Sequence, residues 1–200
     1  MLYKIAKFVI SLIFYPLYRI KVIGKENIPK KGPVLICSNH ISNMDPPVVG
    51  ITSSRDIYFM AKGELFENVF LKTLLTNINA FPVKRGLADR NALRKGISIL
   101  NDGKTLGLFP EGTRSKNGEV GEALAGAGFF ALRADAVVVP CAIIGPYKAF
   151  KQLTVVYGKP MNLNDYREKK SSAKEVADVI MEEIKILKEN YQNQTTLLDK

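Results

Sequence analysis

Apolar runs and helical stripes alternate along most of this chain. Short apolar runs at 33–38, 57–61, 105–109 and 137–139 are bounded by glycine, proline or charged residues, which is typical of buried strands. Between these runs, apolar residues recur three and four positions apart and predict helices. The alternation predicts the α/β class: a single domain with a largely parallel, mixed sheet flanked by helices.

Capping residues predict where several helices begin and end. Asp45, followed by two prolines, is a candidate N-cap, and Asp89 is a second one whose helix ends at Asp102-Gly103. Ser172 and Glu175 form a capping box for a C-terminal helix. The apolar stripe of that helix comprises Val176, Val179, Ile180, Ile184, Leu187 and Tyr191. Further strands are predicted at 79–83 and 153–158, and a helix of small residues at 126–134.

The first 24 residues differ in character from the rest of the chain. Residues 8–18 carry no charge and, as a helix, would span about 17 Å, much less than the roughly 30 Å of a bilayer core. Basic residues flank this run, as in helices that lie in the interface of an anionic leaflet. A core helix packed on its own domain is the alternative. We predict a membrane-interface segment at 1–24, a domain at 25–192 and a frayed tail at 193–200.

The net charge of the chain indicates which class of partner it binds. The 200 residues carry a net charge of +10, which points to nucleic acid, anionic lipid or a phosphorylated substrate. Residues 1–31 alone account for +6, whereas nucleic-acid grooves usually spread basic residues over a folded face. Lipid is therefore favoured. Two cysteines, Cys37 and Cys141, form no disulfide framework and indicate a reducing compartment.

The single histidine of the sequence, His40, is the leading candidate for chemistry. It lies two residues after the predicted strand 33–38, at the kind of strand end where open α/β sheets bind ligands. Asp45 follows five residues later and precedes a proline, which disfavours a helix and favours a turn back towards His40. A carboxylate bonded to one imidazole nitrogen would fix the tautomer and leave the other nitrogen as a proton acceptor.

Cationic side chains follow other predicted strands. Lys84 and Arg85 come after the strand 79–83, and Arg114 follows the turn after the strand 105–109. Because parallel strand ends meet at one edge of a sheet, these cations are expected near His40. Arginine suits bidentate contact with a phosphate, and a further cation adds counter-charge.

Four segments, in this order, resemble the conserved blocks of the glycerolipid acyltransferase family. Phe109-Pro110-Glu111-Gly112-Thr113-Arg114 is the most specific of them, and the pattern is most similar to that of bacterial 1-acylglycerol-3-phosphate acyltransferases. The other three segments are Asn39-His40-x4-Asp45, Phe81-Pro82-Val83-Lys84-Arg85 and Val138-Val139-Pro140.

The resemblance implies a reaction. His40, held by Asp45, would be the general base on the free sn-2 hydroxyl of lysophosphatidate. That oxygen would take a fatty acyl group directly from a thioester of acyl-carrier protein or CoA, giving phosphatidate in phospholipid synthesis. The thioester is a co-substrate, and no bound cofactor or metal is implied. The expected location is the cytoplasmic face of the cell membrane, as a peripheral or monotopic protein on an anionic surface, with no nucleic-acid partner.

The resemblance also assigns the headgroup site. Lys84, Arg85, Glu111, Gly112, Thr113 and Arg114 are expected to bind the glycerophosphate, with Lys62 as a secondary phosphate contact. Asn39 and Pro140 are expected to support the site.

Three other readings remain open. A related acyltransferase would use glycerol-3-phosphate or another lysophospholipid. A thiol hydrolase would use Cys37 with His40, and a non-catalytic basic module would bind nucleic acid or membrane without chemistry.

Overall fold

The computed structural model describes residues 2–84, 89–115 and 118–198. Its helices are α1 (Leu2–Leu17), α2 (Asp45–Thr52), α3 (Val69–Asn77), α4 (Arg90–Asn101), α5 (Gly126–Arg133), α6 (Asn164–Glu168) and α7 (Ala173–Leu198). Its strands are β1 (Lys21–Ile23), β2 (Val34–Ser38), β3 (Ile57–Lys62), β4 (Ala80–Val83), β5 (Thr105–Leu108), β6 (Val137–Ile144) and β7 (Thr154–Tyr157). Short 3-10 helices lie at Lys25–Asn27 and Gly63–Phe66.

In the described residues the strands form one mixed sheet in the order β1-β7-β6-β2-β5-β3-β4. The five strands from β6 to β4 are mutually parallel, and β7 joins antiparallel to β6. The predicted α/β class with a largely parallel, mixed sheet is confirmed. Strand β2 lies between β5 and β6. The loop after β2, which contains His40, therefore has the segment after β5 on one side and the end of β6 on the other.

The core lies on both faces of the sheet. Alternate residues of β2 point to opposite sides: Leu35 and Cys37 pack with α4, α5 and α7, whereas Val34 and Ile36 pack with α2. Burial on both faces explains why β2 is a continuous apolar run and not an alternating one.

Helix α1 is packed along one side only. Lys7 Nζ donates to Ser53 O (2.8 Å), the Tyr3 hydroxyl accepts from Ile57 N (3.0 Å), and Phe14 packs on the core. The opposite side exposes six large apolar side chains, of which Phe8 is 63% exposed. These are Leu2, Ile5, Phe8, Val9, Leu12 and Ile13. None of the described helices is both long enough and apolar enough to cross a membrane.

Several boundaries differ from the sequence-based predictions. Strand β1 pairs with β7 inside the predicted segment 1–24, so the sheet begins earlier than expected. Helix α7 continues to Leu198, past the expected tail at residue 193, because no glycine or proline interrupts it. The stretch after β3 is split into a 3-10 helix and α3, which Asn68 caps by accepting from Phe70 N and Leu71 N.

The prediction that the strand in β6 ends at Pro140 is wrong, since β6 continues to Ile144. Pro140 lies at the start of the β6–β7 ladder, where its carbonyl oxygen accepts from Gly158 N (2.8 Å). A residue at this position could bond to β7 through both its carbonyl and its N–H. At the end of the ladder only the carbonyl bond is made, so the missing N–H of proline is tolerated.

Close packing of α5 on α7 gives a stability prediction. A Cβ atom built on Gly128 would overlap the backbone carbonyl of Ala173, whereas one built on Gly126 meets nothing within 4 Å. We expect Gly128→Ala to lower the free energy of unfolding in urea by about 1–3 kcal/mol, because the helices must move apart. Gly126→Ala, on the same helix, should be neutral or slightly stabilising. Equal stability of the two variants would contradict this packing.

Candidate active site

The side chain of Asp45 turns back onto the loop that follows β2. Its Oδ2 atom lies 2.7 Å from His40 Nδ1 and accepts from Ile41 N (2.6 Å) and Ser42 N (2.7 Å). The predicted turn and its hydrogen bond are therefore present. Asp45 is not the N-cap that the sequence suggested but the first residue of α2, because its carboxylate is occupied by this loop.

Tyr147 binds the other oxygen of the same carboxylate. Its hydroxyl donates to Asp45 Oδ1 at 2.6 Å. Asp45 is fully buried, so hydrogen-bond donors replace water around its charge. Burial and, secondarily, the charge of Asp45 raise the pKa of the Tyr147 hydroxyl, which therefore stays protonated as a donor.

The arrangement defines the state of the imidazole. Because a carboxylate only accepts, Nδ1 of neutral His40 carries the proton and Nε2 keeps its lone pair. The His40 ring stacks on Phe109, with centroids 4.2 Å apart, and Phe109 stacks in turn on Phe59. A Cβ atom on Gly107 would overlap the Phe59 ring, so this stack needs glycine there. The ring is held by its edge and its face.

The segment after β5 holds the backbone of His40. Glu111 Oε1 accepts from His40 N (2.9 Å), and Ser115 N donates to His40 O (2.7 Å). Between them, Gly112 has a φ of +67°, a left-handed conformation that favours glycine. Glu111 is buried, and this burial raises the pKa of its carboxyl group. The structure thus places Glu111, predicted as a headgroup ligand, against the peptide of His40.

Asn39 ties the end of β2 to β6. Its Nδ2 atom donates to Ile143 O (3.0 Å) and its Oδ1 atom accepts from Ile143 N (2.7 Å). Pro140 is buried in β6, where it pairs with Cys37 of β2. Asn39 thus anchors the chain between the end of β2 and His40, and Pro140 lies in the neighbouring strand β6.

The predicted phosphate-binding residues lie at this same end of the sheet. Thr113 and Arg114 are exposed and directly precede Ser115, whose N–H is bonded to His40. Lys62 and Lys84 are exposed at the ends of β3 and β4, and Lys62 pairs with Glu64 at 3.2 Å. Arg85 lies outside the described residues. At about 5 Å between neighbouring strands, β3 lies roughly 10 Å from β2, and β4 lies beyond β3 on the same side.

Neither cysteine has the surroundings of a nucleophile. Cys37 and Cys141 are fully buried in the sheet. Burial raises the pKa of the Cys37 thiol and raises that of Cys141 to about 12. A thiolate is therefore disfavoured at both positions. Across residues 2–84, 89–115 and 118–198, no three His, Cys, Asp or Glu side chains are grouped to hold a metal ion.

Sequence reasoning missed two contributors to this site, Tyr147 and Phe109. Tyr147 follows the last β6 residue by three positions and is 102 residues from Asp45. Only the sheet order brings them together, so local sequence gives no signal for Tyr147. Phe109 was visible as part of the Phe109–Arg114 motif, but its ring contact depends on β5 lying beside β2.

Comparisons with known proteins agree with the motif. Residues 19–144 match the model of the family described as Acyltransferase. The chain is 32% identical over 153 residues to the 1-acyl-sn-glycerol-3-phosphate acyltransferase of Bacillus subtilis, covering 74% of this chain and 76% of that protein. It is 32% identical over 127 residues to the enzyme of the same name from Borreliella burgdorferi, covering 62% and 51%.

The fold also has a solved counterpart. The crystal structure of the 1-acyl-sn-glycerophosphate (LPA) acyltransferase, PlsC, from Thermotoga maritima aligns with a TM-score of 0.69 at 24% identity. The alignment covers 94% of this chain and 78% of that one. The likeness shows that the two chains share a fold.

The buried carboxyl group of Glu111 predicts a pH-dependent stability. Because its pKa is raised in the folded chain, folding favours the protonated form. Its stabilising contribution is present below the ordinary value of 4.5 and is lost as the pH rises through the raised pKa. Urea unfolding of the wild type and Glu111→Gln should show a difference in free energy of unfolding that falls from acid to neutral pH.

The exposed Glu122 provides the control for this measurement. Glu122→Gln should differ from the wild type by an amount that does not follow this trend. A Glu111→Gln difference that stays flat or grows with pH would contradict the effect of burial.

Proposed function

The chain belongs to the Acyltransferase family, and on that premise we propose that it acylates the sn-2 hydroxyl of lysophosphatidate from an acyl thioester, giving phosphatidate. The observation that carries this proposal is His40, whose Nδ1 atom is bonded to buried Asp45. The names of the relatives supply the substrate class, since both act on 1-acyl-sn-glycerol-3-phosphate.

The proposed reaction is a direct transfer. His40 Nε2 takes the proton of the acceptor hydroxyl as its oxygen attacks the thioester carbonyl carbon. The tetrahedral intermediate then expels the thiolate, which takes the proton from the imidazolium. Asp45 stabilises the imidazolium while it exists. The products are the new ester and a free thiol, and no acyl-enzyme forms, in keeping with the burial of both cysteines.

The phosphate of the acceptor is proposed to bind beside this pair. Arg114 lies within the segment 111–115 that is bonded to His40 at both ends, and Thr113 adds a hydroxyl. Lys62 and Lys84 extend the positive charge along the same edge of the sheet. Arg85 follows Lys84 in the segment 81–85 and is proposed to add to this charge. Glu111 supports this site through the His40 peptide, because its carboxyl group is buried and its Oε1 atom accepts from His40 N.

The donor is proposed to be a thioester of acyl-carrier protein or CoA, used as a co-substrate. A panel of purified acceptors and donors tests both substrates. Release of thiol with lysophosphatidate supports the proposal. Release of thiol only with glycerol-3-phosphate, or only with another lysophospholipid, would show that the proposed acceptor is wrong and that the reaction type is right. Absence of thiol release with every acceptor would favour a binding module.

We also propose that the protein works at the cytoplasmic face of the cell membrane, on an anionic leaflet. The exposed apolar side of α1, with Lys4 and Arg19 near its ends, suits burial among acyl chains and contact with anionic headgroups. A second apolar surface lies on α3, where Phe70 is 86% exposed. None of the residues of α3, all of which are described, is buried.

Helices α1 and α3 lie on the same side of the sheet, so their exposed apolar side chains can face one membrane surface. The connections β2-α2-β3 and β3-α3-β4 both join parallel strands and run in the same direction across the sheet. Right-handed crossovers therefore place α2 and α3 on one side. Helix α1 packs on α2, on that same side.

Substitution of His40 tests the reaction. We expect His40→Ala to lower kcat at least about 100-fold, because a positioned base is lost. Cys37→Ala should keep most of the activity, since the thiol plays no part. Thiol release from the thioester, followed spectrophotometrically, measures both. The opposite ranking would favour the hydrolase.

Membrane contact has a separate test. Phe8 and Leu12 lie one turn apart on the exposed side of α1. The pair Phe8→Asp/Leu12→Asp should weaken co-sedimentation with phosphatidylglycerol vesicles at least about tenfold, through lost apolar burial. Phe70→Asp should weaken it further. Ile186→Asp, at an exposed apolar position on α7, is the matched control. Unchanged binding by the α1 pair would rule out this surface.

A further inference from the structure

We propose that Tyr147 is a positioning residue for the His40–Asp45 pair and that Tyr18, directly after α1, holds Tyr147 in place. The inference rests on the proposed function for its kinetic meaning. It gives the N-terminal helix a part in catalysis that is separate from any contact with a membrane.

The two oxygens of Asp45 are held in different ways. Oδ2 has three partners, all from the neighbouring loop of residues 40–42. Oδ1 has Tyr147 as its only partner among the described residues. Since Oδ2 alone does not fix rotation of the carboxylate, the Tyr147 hydroxyl sets its plane and therefore the direction in which the His40 ring is held. Without that hydroxyl, Oδ1 would be a buried acceptor with no donor.

A tight turn places Tyr147 over the site. Gly145, directly after β6, has a φ of +123°, and a Cβ atom there would overlap the carbonyl of Gln152. Asn39 fixes Ile143, two residues earlier, to the end of β2. The start of this loop is therefore anchored to Asn39, the residue directly before His40.

Tyr18 supports the ring of Tyr147 from the other side. The two rings meet edge to face with centroids 5.4 Å apart, and Phe14 of α1 packs on Tyr18 in the same way. The Tyr18 carbonyl accepts from Leu153 N (2.9 Å), which joins this position to the residue directly before β7. A continuous series of contacts thus runs from α1 through Tyr18 and Tyr147 to Asp45 and His40.

Kinetics in detergent solution, with short-chain thioester and acceptor and no vesicles, test the proposal. Tyr147→Phe keeps the ring and removes the hydroxyl, so kcat should fall about tenfold while KM changes by less than about twofold. Tyr18→Ala should lower kcat in the same sense, whereas Tyr18→Phe should keep it. In an Asp45→Asn background, Tyr147→Phe should add little, because its effect passes through Asp45.

Tyr157→Phe is the matched control. The Tyr157 hydroxyl is also buried, and its hydrogen bonds among the described residues go to Thr52 Oγ1 (2.8 Å) and Val49 O (3.3 Å) and not to His40 or Asp45. Its loss should lower stability and leave kcat unchanged. If Tyr147→Phe behaves like Tyr157→Phe, the role of Tyr147 is structural only and the proposal fails.

A second readout needs no substrate. The chain has one histidine, so 15N-histidine labelling reports the His40 ring alone. Tyr147→Phe and Tyr18→Ala should shift its ring nitrogen signals, and Tyr157→Phe should not. Unchanged signals in Tyr147→Phe would overturn the proposal even if the enzyme is active. Shifted signals would uphold the positioning role even if the proposed acceptor is wrong.

Discussion

The buried carboxylate of Asp45 is the interaction on which the site depends. A charged group without solvent contact is stable only where donors replace water, and here four donors do so. Three of them come from the loop after β2 and one from the loop after β6. The negative charge can therefore be held in place only when both loops adopt their folded positions, and His40 is oriented as a result.

The sheet order explains how these groups meet. Because β2 lies between β5 and β6, the segment after β5 supplies Glu111 and Phe109 on one side of His40. On the other side, β6 supplies the anchor for Asn39. The cations at the ends of β3 and β4 lie farther along the same edge. The arrangement separates His40 from these cations along the edge of the sheet, which suits the proposed acceptor, whose reacting hydroxyl and phosphate are different groups.

Local features of this protein could be predicted from the sequence, and distant contacts could not. The buried strands and the turn from His40 to Asp45 follow from apolar runs and proline positions within a few residues. By contrast, Glu111 is 71 residues from His40 and Tyr147 is 102 residues from Asp45, so their roles depend on strand order. A local signal also misled at Pro140. Proline usually ends a strand, but here it lies at the end of the β6–β7 ladder, where it is tolerated, and β6 continues to Ile144. Composition alone also did not decide between a core helix and an interface helix at the N-terminus. In the structure α1 packs on the domain along one side and exposes apolar side chains on the other.

The state of the His40 ring in the wild-type protein tests this account most directly. With one histidine in the chain, 15N-histidine spectra of the neutral ring give the tautomer of His40 without ambiguity. The account predicts a proton on Nδ1, bonded to Asp45, and none on Nε2, the nitrogen left to act as the base. A proton on Nε2 would leave no acceptor for the substrate hydroxyl and would contradict the central claim.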